Sequence, residues 1–168
     1  MATSGKAAST PPDLSQSFQR LSESAGRLNK ASDELSKAIT PIEAVLKKLN
    51  LGIVKWHEFA GSAGRAVEDG YYWSSEIGYA KVGGKWCIAL AERSGYAYTS
   101  EGDSSTEWAF NDAPRQLRIR AVKEIPKLLE ALIEEAEKVT NALEAETQRA
   151  TEVAETLTAL AAAQGSRK

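Results

Sequence analysis

The sequence has little of the chemistry that metal centres and disulfide frameworks require. It contains one cysteine, Cys87, and one histidine, His57, among 168 residues. A single cysteine excludes an internal disulfide, and a single histidine excludes most zinc sites. We therefore expect a cytoplasmic protein that binds no metal and no cofactor.

Long apolar runs and a strong charge of either sign are also missing. No run approaches the roughly 18 apolar residues that a membrane-spanning helix needs, and residues 1–12 lack the apolar stretch of a signal peptide. The formal net charge of −2 argues against an electrostatic grip on nucleic acid by the whole protein. We expect no membrane association, and we do not favour nucleic acid as a partner.

The aromatic residues divide the chain into three parts. All four Trp, all five Tyr and two of the three Phe lie between Trp56 and Phe110, and only Phe18 lies outside. Eight of the twelve glycines lie in this same stretch, whereas Ala, Leu, Glu, Lys, Ser and Gln dominate the flanks. This distribution predicts an aromatic, β-rich centre between two helical arms.

Each arm carries a stripe of mostly apolar residues at alternating spacings of four and three, the pattern of a coiled-coil heptad. One position in each stripe is polar: Ser32 in the first and Glu146 in the second. The first stripe comprises Leu14, Phe18, Leu21, Ala25, Leu28, Ser32, Leu35, Ile39, Ile42, Leu46 and Leu49. The second comprises Ile125, Leu129, Leu132, Ala136, Val139, Leu143, Glu146, Ala150, Val153, Leu157 and Leu160.

The predicted fold class is α+β. A small antiparallel β-meander of three or four strands is inserted between two long heptad-patterned helices, which form an antiparallel coiled-coil hairpin. The equal stripes would pair Leu49 with Ile125 and Leu14 with Leu160. The alternative is two separate amphipathic helices that lie across the sheet. Small and polar residues weaken the seam, so we expect self-association, most simply a dimer that forms a four-helix bundle.

These patterns set the segment boundaries. Pro41 removes a backbone donor, so we expect a kink or a restart of the first helix near residue 40. The segments are a disordered tail at 1–12, the first long helix at 13–50, the aromatic β-sheet head at 51–110, a short helix at 111–124, the second long helix at 125–163 and a disordered tail at 164–168.

Gly83-Gly84 predicts a two-residue hairpin turn, because glycine tolerates the positive φ angles of such turns. The turn places Val82 opposite Lys85, Lys81 opposite Trp86, Tyr79 opposite Ile88 and Ile77 opposite Leu90. We call one side of this hairpin the large-residue face (Ile77, Tyr79, Trp86, Ile88, Leu90). The other is the small-residue face (Gly78, Ala80, Val82, Cys87, Ala89, Ala91).

We expect different structural elements to pack against the two faces. The small-residue face suits a closely packed helix, and the large-residue face suits a core or a pocket floor. Residues 99–106 are rich in Ser, Gly and acidic residues and are predicted to form a polar loop. The sequence Asn111-Asp112-Ala113-Pro114 predicts a helix start with an acidic cap.

No motif in the head predicts catalysis. Gly83-Gly84-Lys85 lacks the Ser or Thr of a phosphate-binding loop, because Trp86 follows the lysine. Cys87 and His57 belong to different strands, and mid-strand cysteine usually acts as a small apolar filler. The acidic residues of the head show no spacing that demands acid–base chemistry. We therefore predict that the protein is not an enzyme.

Two groups of residues are candidates for binding. A basic collar near the junction of helices and head could hold a phosphate-bearing ligand beside Trp56 and Trp108. The alternative is a solvated surface paired with acidic residues. The collar comprises Lys47, Lys48, Lys55, Arg115, Arg118, Arg120, Lys123 and Lys127.

The second group is the consecutive run Tyr71-Tyr72-Trp73. Consecutive residues on a strand face opposite sides, so at least one should be poorly buried. The alternative is that all three belong to the core. From both groups, the candidate ligand- or partner-binding residues are Trp56, Tyr72, Trp73, Trp108, Lys55, Arg115, Arg118 and Arg120.

Together these observations predict a non-catalytic interaction or scaffold protein. A coiled-coil stalk would drive homo-oligomerisation, and the β head would bind a protein partner. The alternative is a protein that binds or sequesters an anionic, nucleotide-like small molecule through the aromatic head and the basic collar.

Overall fold

The structure is a computed structural model that describes residues 14–62, 70–97 and 99–165. It is α+β and contains an antiparallel sheet, as predicted. The elements are α1 (Leu14–Leu49), β1 (Lys55–Gly61), β2 (Tyr71–Val82), β3 (Lys85–Tyr96), β4 (Thr99–Ala109), α2 (Arg115–Ala121) and α3 (Ile125–Gly165). Short 3-10 turns, Phe110–Asp112 and Val122–Glu124, flank α2.

The chain forms two compact units, Met1–Ile42 and Glu43–Lys168. Helix α1 is continuous across Pro41, so of the two alternatives predicted near residue 40, a kink or a restart, the helix does not restart. Thr40 does not cap a new helix; its hydroxyl donates to the carbonyl of Ser36, 3.0 Å away, one turn earlier. The helix ends as predicted, with Asn50 at a φ of 48° and its N–H bonded to the Lys47 carbonyl at 3.2 Å.

The coiled-coil hairpin is not confirmed. In α1 the stripe residues Leu14 and Phe18 are 79% and 72% exposed. In α3 the stripe residues Val153, Leu157 and Leu160 are 57–61% exposed. Both helices therefore present apolar side chains of the predicted heptads to solvent along these stretches.

The four strands form one sheet in the order β1-β2-β3-β4, all antiparallel. The hairpin at Gly83-Gly84 has the predicted register, from Val82 opposite Lys85 to Ile77 opposite Leu90. Both glycines have positive φ angles, 57° and 79°, which explains why this turn favours glycine. The register confirms the division of the hairpin into a large-residue face and a small-residue face.

The polar loop predicted at residues 99–106 is wrong, because these residues belong to β4. Arg93 pairs with Ser105 and Ser94 with Ser104 across the β3–β4 ladder. β4 is the last strand in the sheet order, and the described side chains from Gly102 to Glu107 are exposed. A strand that needs no apolar side chains lacks the alternation that identifies strands in a sequence.

The helices cover the large-residue face, which corrects the expectation that a helix packs on the small-residue face. Lys55, which is paired with Tyr79 on the large-residue face, reaches Glu135 of α3. Buried Leu117, Leu128 and Leu132 come from α2 and α3. The small-residue face is covered instead by Trp56, which packs with Val82 and Ala109 against Ala80, Cys87 and Ala89.

The connection after β4 also differs from the predicted acidic cap. Pro114 is the residue before α2, and no side chain caps this helix. Asp112 lies instead in the preceding 3-10 turn. Helix α3 continues to Gly165, two residues past the predicted end. The tail predicted at 1–12 and residues 166–168 lie outside the described residues.

Candidate functional site

Three of the candidate residues meet at one groove on the large-residue side of the sheet. Trp73, Trp108 and Arg120 line a groove of about 350 Å³. Trp108 stands opposite Leu90 in the β3–β4 ladder, and Trp73 stands opposite Ser94 in the β2–β3 ladder. The remaining lining residues are all hydroxylic or charged: Ser74, Ser75, Glu92, Arg93, Ser94, Ser104 and Thr106.

Arg120 is held in place by three neighbours. Its Nη2 donates to the Ser75 hydroxyl at 3.1 Å and lies 3.9 Å from a carboxylate oxygen of Glu92. Its guanidinium carbon is 5.8 Å from the centre of the Phe59 ring. These contacts orient the guanidinium, and the distance to Glu92 leaves it available for a closer anion.

Four aromatic side chains stand partly exposed near the end of the β2–β3 hairpin farthest from its turn. Tyr71, Tyr72, Trp73 and Tyr96 are 39–43% exposed. The rings of Tyr71 and Tyr96 are 5.5 Å apart in an edge-to-face arrangement. The alternative that Tyr71, Tyr72 and Trp73 all belong to the core is therefore wrong. We call these four residues the aromatic end.

Ser62, the residue that follows β1, holds the backbone of the aromatic end at Trp73. The N–H of Trp73 donates to the Ser62 hydroxyl at 2.9 Å, and the N–H of Ser62 donates to the Trp73 carbonyl at 2.9 Å. Tyr72 faces the opposite side of the sheet from Trp73, where its hydroxyl lies close over Gly95. Tyr72 therefore does not share the groove of Trp73.

Lys55 and Trp56 also point to opposite faces, because they are consecutive on β1. Lys55 donates to Glu135 at 2.9 Å, and this hydrogen bond lowers the pKa of the Glu135 carboxyl. Trp56 lies on the small-residue face opposite Gly78, with the Arg93 guanidinium 5.4 Å from its ring. Neither residue reaches the groove of Trp73 and Trp108.

The basic collar does not form one cluster. Arg118 is only 6% exposed, and Arg115 lies on the surface two residues before the buried Leu117. Several collar lysines are paired with acids: Lys47 with Glu43 at 3.7 Å, Lys127 with Glu124 at 2.8 Å and Lys123 with Glu124 at 3.8 Å. These pairs favour the alternative of a charge-compensated surface.

Glu124 is the most buried member of these pairs. Its residue is 6% exposed, and the hydrogen bond from Lys127 lowers the pKa of its carboxyl against the opposing effect of burial. His57 Nε2 lies 3.8 Å from the same carboxylate. This cluster joins β1 to the start of α3.

Arg93 is an important residue that the sequence analysis missed. It donates to Glu76 at 3.2 Å, to Ser105 at 2.6 Å and to Glu107 at 2.8 Å, which ties β2, β3 and β4 together. Burial alone would lower the pKa of Arg93, but the hydrogen bonds to Glu107 and Glu76 raise it. An arginine within a predicted strand carries no sequence pattern that distinguishes it from a solvated one.

Cys87 and His57 do not form a catalytic pair. Cys87 lies on the small-residue face and is 6% exposed, whereas His57 is paired with Ile77 of the large-residue face. Burial, with a contribution from Glu43, raises the pKa of the Cys87 thiol, which disfavours the reactive thiolate.

Neither a metal-ion cluster nor a membrane-spanning helix is present among the described residues. They contain no group of three or more His, Cys, Asp and Glu side chains that could hold a metal ion. None of the helices within residues 14–62, 70–97 and 99–165 is long and apolar enough to cross a membrane.

No protein-family model matches this chain, and neither the curated proteins nor the solved structures contain a significant match.

Proposed function

We propose that this protein is a non-catalytic interaction module. In this proposal the aromatic end of the β head binds a protein partner, and the apolar stripes of the long helices mediate self-association as a coiled coil. The observation that carries the proposal is the aromatic end, where four large side chains are each about 40% exposed.

Such a cluster is unusual on a surface that only faces water. Tyrosine and tryptophan provide rigid contact area with few rotatable bonds, so they lose little entropy on binding, and they are enriched among the residues that dominate interface energies. The hydrogen bonds between Ser62 and Trp73 hold the backbone of this end before a partner arrives. A preformed surface lowers the ordering cost of association.

The helices support the second half of the proposal. Along α3, the stripe residues Leu143, Val153, Leu157 and Leu160 are 57–62% exposed. Burial of one such side chain contributes about 1.5–3 kcal/mol. A second copy that covers this stripe would therefore gain several times that amount, and a dimer is the smallest assembly that achieves it.

Site-specific photo-crosslinking in cells tests the partner claim. A photoreactive phenylalanine analogue replaces Tyr96 in one variant and exposed Lys138 of α3 in a control variant. We expect one discrete heterologous adduct from position 96 that is absent from position 138. The same adduct from both positions, or from neither, would contradict binding at the aromatic end.

A second candidate function is the binding of an anionic, nucleotide-like small molecule. The supporting observation is that Trp73, Trp108 and Arg120 line one groove. An aromatic base could stack on an indole while Arg120 pairs with a phosphate. ATP should then raise the melting temperature of the protein, and Arg120→Gln should abolish the rise, whereas exposed Arg149→Gln should retain it.

A further inference from the structure

A second groove lies beside Trp86; Lys47 of the basic collar lines it, whereas Trp73, Trp108 and Arg120 line the first groove. Its volume is about 360 Å³, which falls in the range of small-molecule sites. The residues that matter for its chemistry are Lys47, Asn50, Leu51, Tyr79, Lys85 and Trp86.

The groove has a flat apolar wall. The rings of Trp86 and Tyr79 stack with centroids 5.2 Å apart and an angle of 16° between their planes. Tyr79 is buried at 2% exposure, so it supports Trp86 from below, while Trp86 itself remains partly exposed. Leu51 adds aliphatic surface. A rigid aromatic wall of this kind favours a planar, apolar ligand body.

The charges around this wall are positive. Among the described residues that line the groove, Lys47 and Lys85 are the charged ones. Lys85 makes no ion pair with any residue that the structure describes. The Nζ of Lys81 is 5.4 Å from the centre of the Trp86 ring. A ligand that stacks on Trp86 therefore lies near three ammonium groups, those of Lys47 in α1, Lys81 in β2 and Lys85 in β3.

The acidic partner of Lys47 also accepts a hydrogen bond from the backbone. Glu43 lies 3.7 Å from Lys47, but its other carboxylate oxygen accepts a hydrogen bond from the N–H of Ile88 at 3.1 Å. An adjoining groove shares Lys47, Lys85 and Trp86 but is also lined by Glu43 and Asp112. The charges of that groove balance, so an anion prefers the first groove.

The C-terminal end of α1 opposes an anion in one part of the groove. The helix ends at Leu49, and its dipole places about half a negative charge at that end. Lys47 is already paired with Glu43, so Lys85 supplies the full positive charge that outweighs this half charge. The repulsion from the helix end favours the side of the groove near Lys85.

We infer that the groove beside Trp86 binds a small aromatic carboxylate. The aromatic body of the ligand stacks on Trp86, and its carboxylate pairs with Lys85 and Lys47. This inference is independent of the proposed partner binding at the aromatic end, because the two sites share no residue.

Titration with 2-naphthoate tests the inference by NMR of the four tryptophan indole N–H groups. The Trp86→Phe variant assigns the Trp86 signal. We expect 2-naphthoate to shift the Trp86 signal most, and 2-naphthalenemethanol, which has the same rings without the charge, to bind about tenfold more weakly. Lys85→Gln should lower the affinity for 2-naphthoate by about tenfold, whereas Lys85→Arg should retain most of the wild-type affinity.

Lys123→Gln is the matched control, because the Lys123 side chain is 76% exposed and does not line the groove. Lys85 is itself exposed beside the turn, so its variants should fold even if Trp86→Phe does not. The inference is overturned if millimolar 2-naphthoate leaves the Trp86 signal unmoved, or if Lys85→Gln binds like Lys123→Gln. A dominant shift of Trp73 or Trp108 would also overturn it and assign the ligand to the other groove.

Discussion

The indole of Trp56 covers Gly78, its partner across the β1–β2 ladder, and leaves no space for a side chain there. A Cβ atom at position 78 would overlap the indole ring and lie 2.8 Å from the carbonyl oxygen of Lys55. The small-residue face is thus closed by one tryptophan from the neighbouring strand, and Gly78 is the residue that permits it.

Gly78→Ala should therefore destabilise the protein. Displacement of an indole and a strand backbone typically costs about 1–3 kcal/mol. Gly26→Ala is the control, because no atom lies within 4 Å of the added methyl group, and alanine in a helix should stabilise by about 0.5–1 kcal/mol. Chemical denaturation measures both free energies of unfolding. Equal stability of Gly78→Ala and wild type would show that the indole does not occupy this position.

The carboxylate of Glu43 accepts a hydrogen bond from the N–H of Ile88, a residue with 0% exposure. Glu43→Ala leaves this buried donor without its partner and should cost about 1–3 kcal/mol. Glu43→Gln keeps a side-chain oxygen and should lose less than half as much. Denaturation of both variants checks the difference. If Glu43→Gln is as unstable as Glu43→Ala, the hydrogen bond is not the cause.

The lowered pKa of Glu124 predicts a pH dependence with a defined sign. A carboxyl whose pKa is lower in the folded state stabilises the protein fully above its unfolded pKa, about 4.3, and loses this contribution as the pH falls through the folded value. The melting temperature of Glu124→Gln should therefore differ most from wild type near neutral pH.

This difference in melting temperature should shrink below the ordinary pKa of glutamate. Lys127→Gln should reduce the pH dependence, because the hydrogen bond from Lys127 is the largest cause of the lowered Glu124 pKa. Thermal melts between about pH 7 and pH 3 measure it. A difference between wild type and Glu124→Gln that stays constant over this range would contradict the role given to the carboxylate.

The buried Cys87 thiol should react slowly. Burial raises its pKa, so little thiolate forms near neutral pH. We expect labelling of the native protein by a disulfide reagent to be about 100-fold slower than labelling of the denatured protein. An immediate reaction of the native thiol would show that Cys87 is accessible and activated.

Local signals in the sequence predicted the hairpin but not the edge strand. Gly83-Gly84 fixes the turn geometry, and the turn then fixes every pair from Val82–Lys85 to Ile77–Leu90. β4 was missed because Ser104 and Ser105 need no apolar partners on the exposed strand. A cluster of Ser, Gly and Asp resembles a loop unless the neighbouring strand is known.

The groove lined by Trp73, Trp108 and Arg120 was predictable only in part. Trp73, Trp108 and Arg120 were selected for their chemistry, but their meeting depends on the β3–β4 register, which no local pattern specifies. Lys55 and Trp56 were grouped because they are adjacent in sequence, yet strand geometry sends them to opposite faces. The serine and threonine hydroxyls of the groove were assigned to a loop, so their contribution was not foreseen.

Self-association through the exposed helix stripes can be tested by sedimentation velocity over a range of protein concentrations. The decisive variant is Val153→Ser with Leu157→Ser, which removes two apolar residues that are 58% and 61% exposed. The control, Ala154→Ser with Thr158→Ser, makes the same number of changes one position away from the stripe.

We expect a wild-type dimer at micromolar concentration, a control variant that dimerises equally well and a stripe variant whose dissociation constant rises by about 100-fold or more. A wild-type protein that remains monomeric at every concentration would contradict self-association through the stripes. So would a stripe variant that dimerises as tightly as the control.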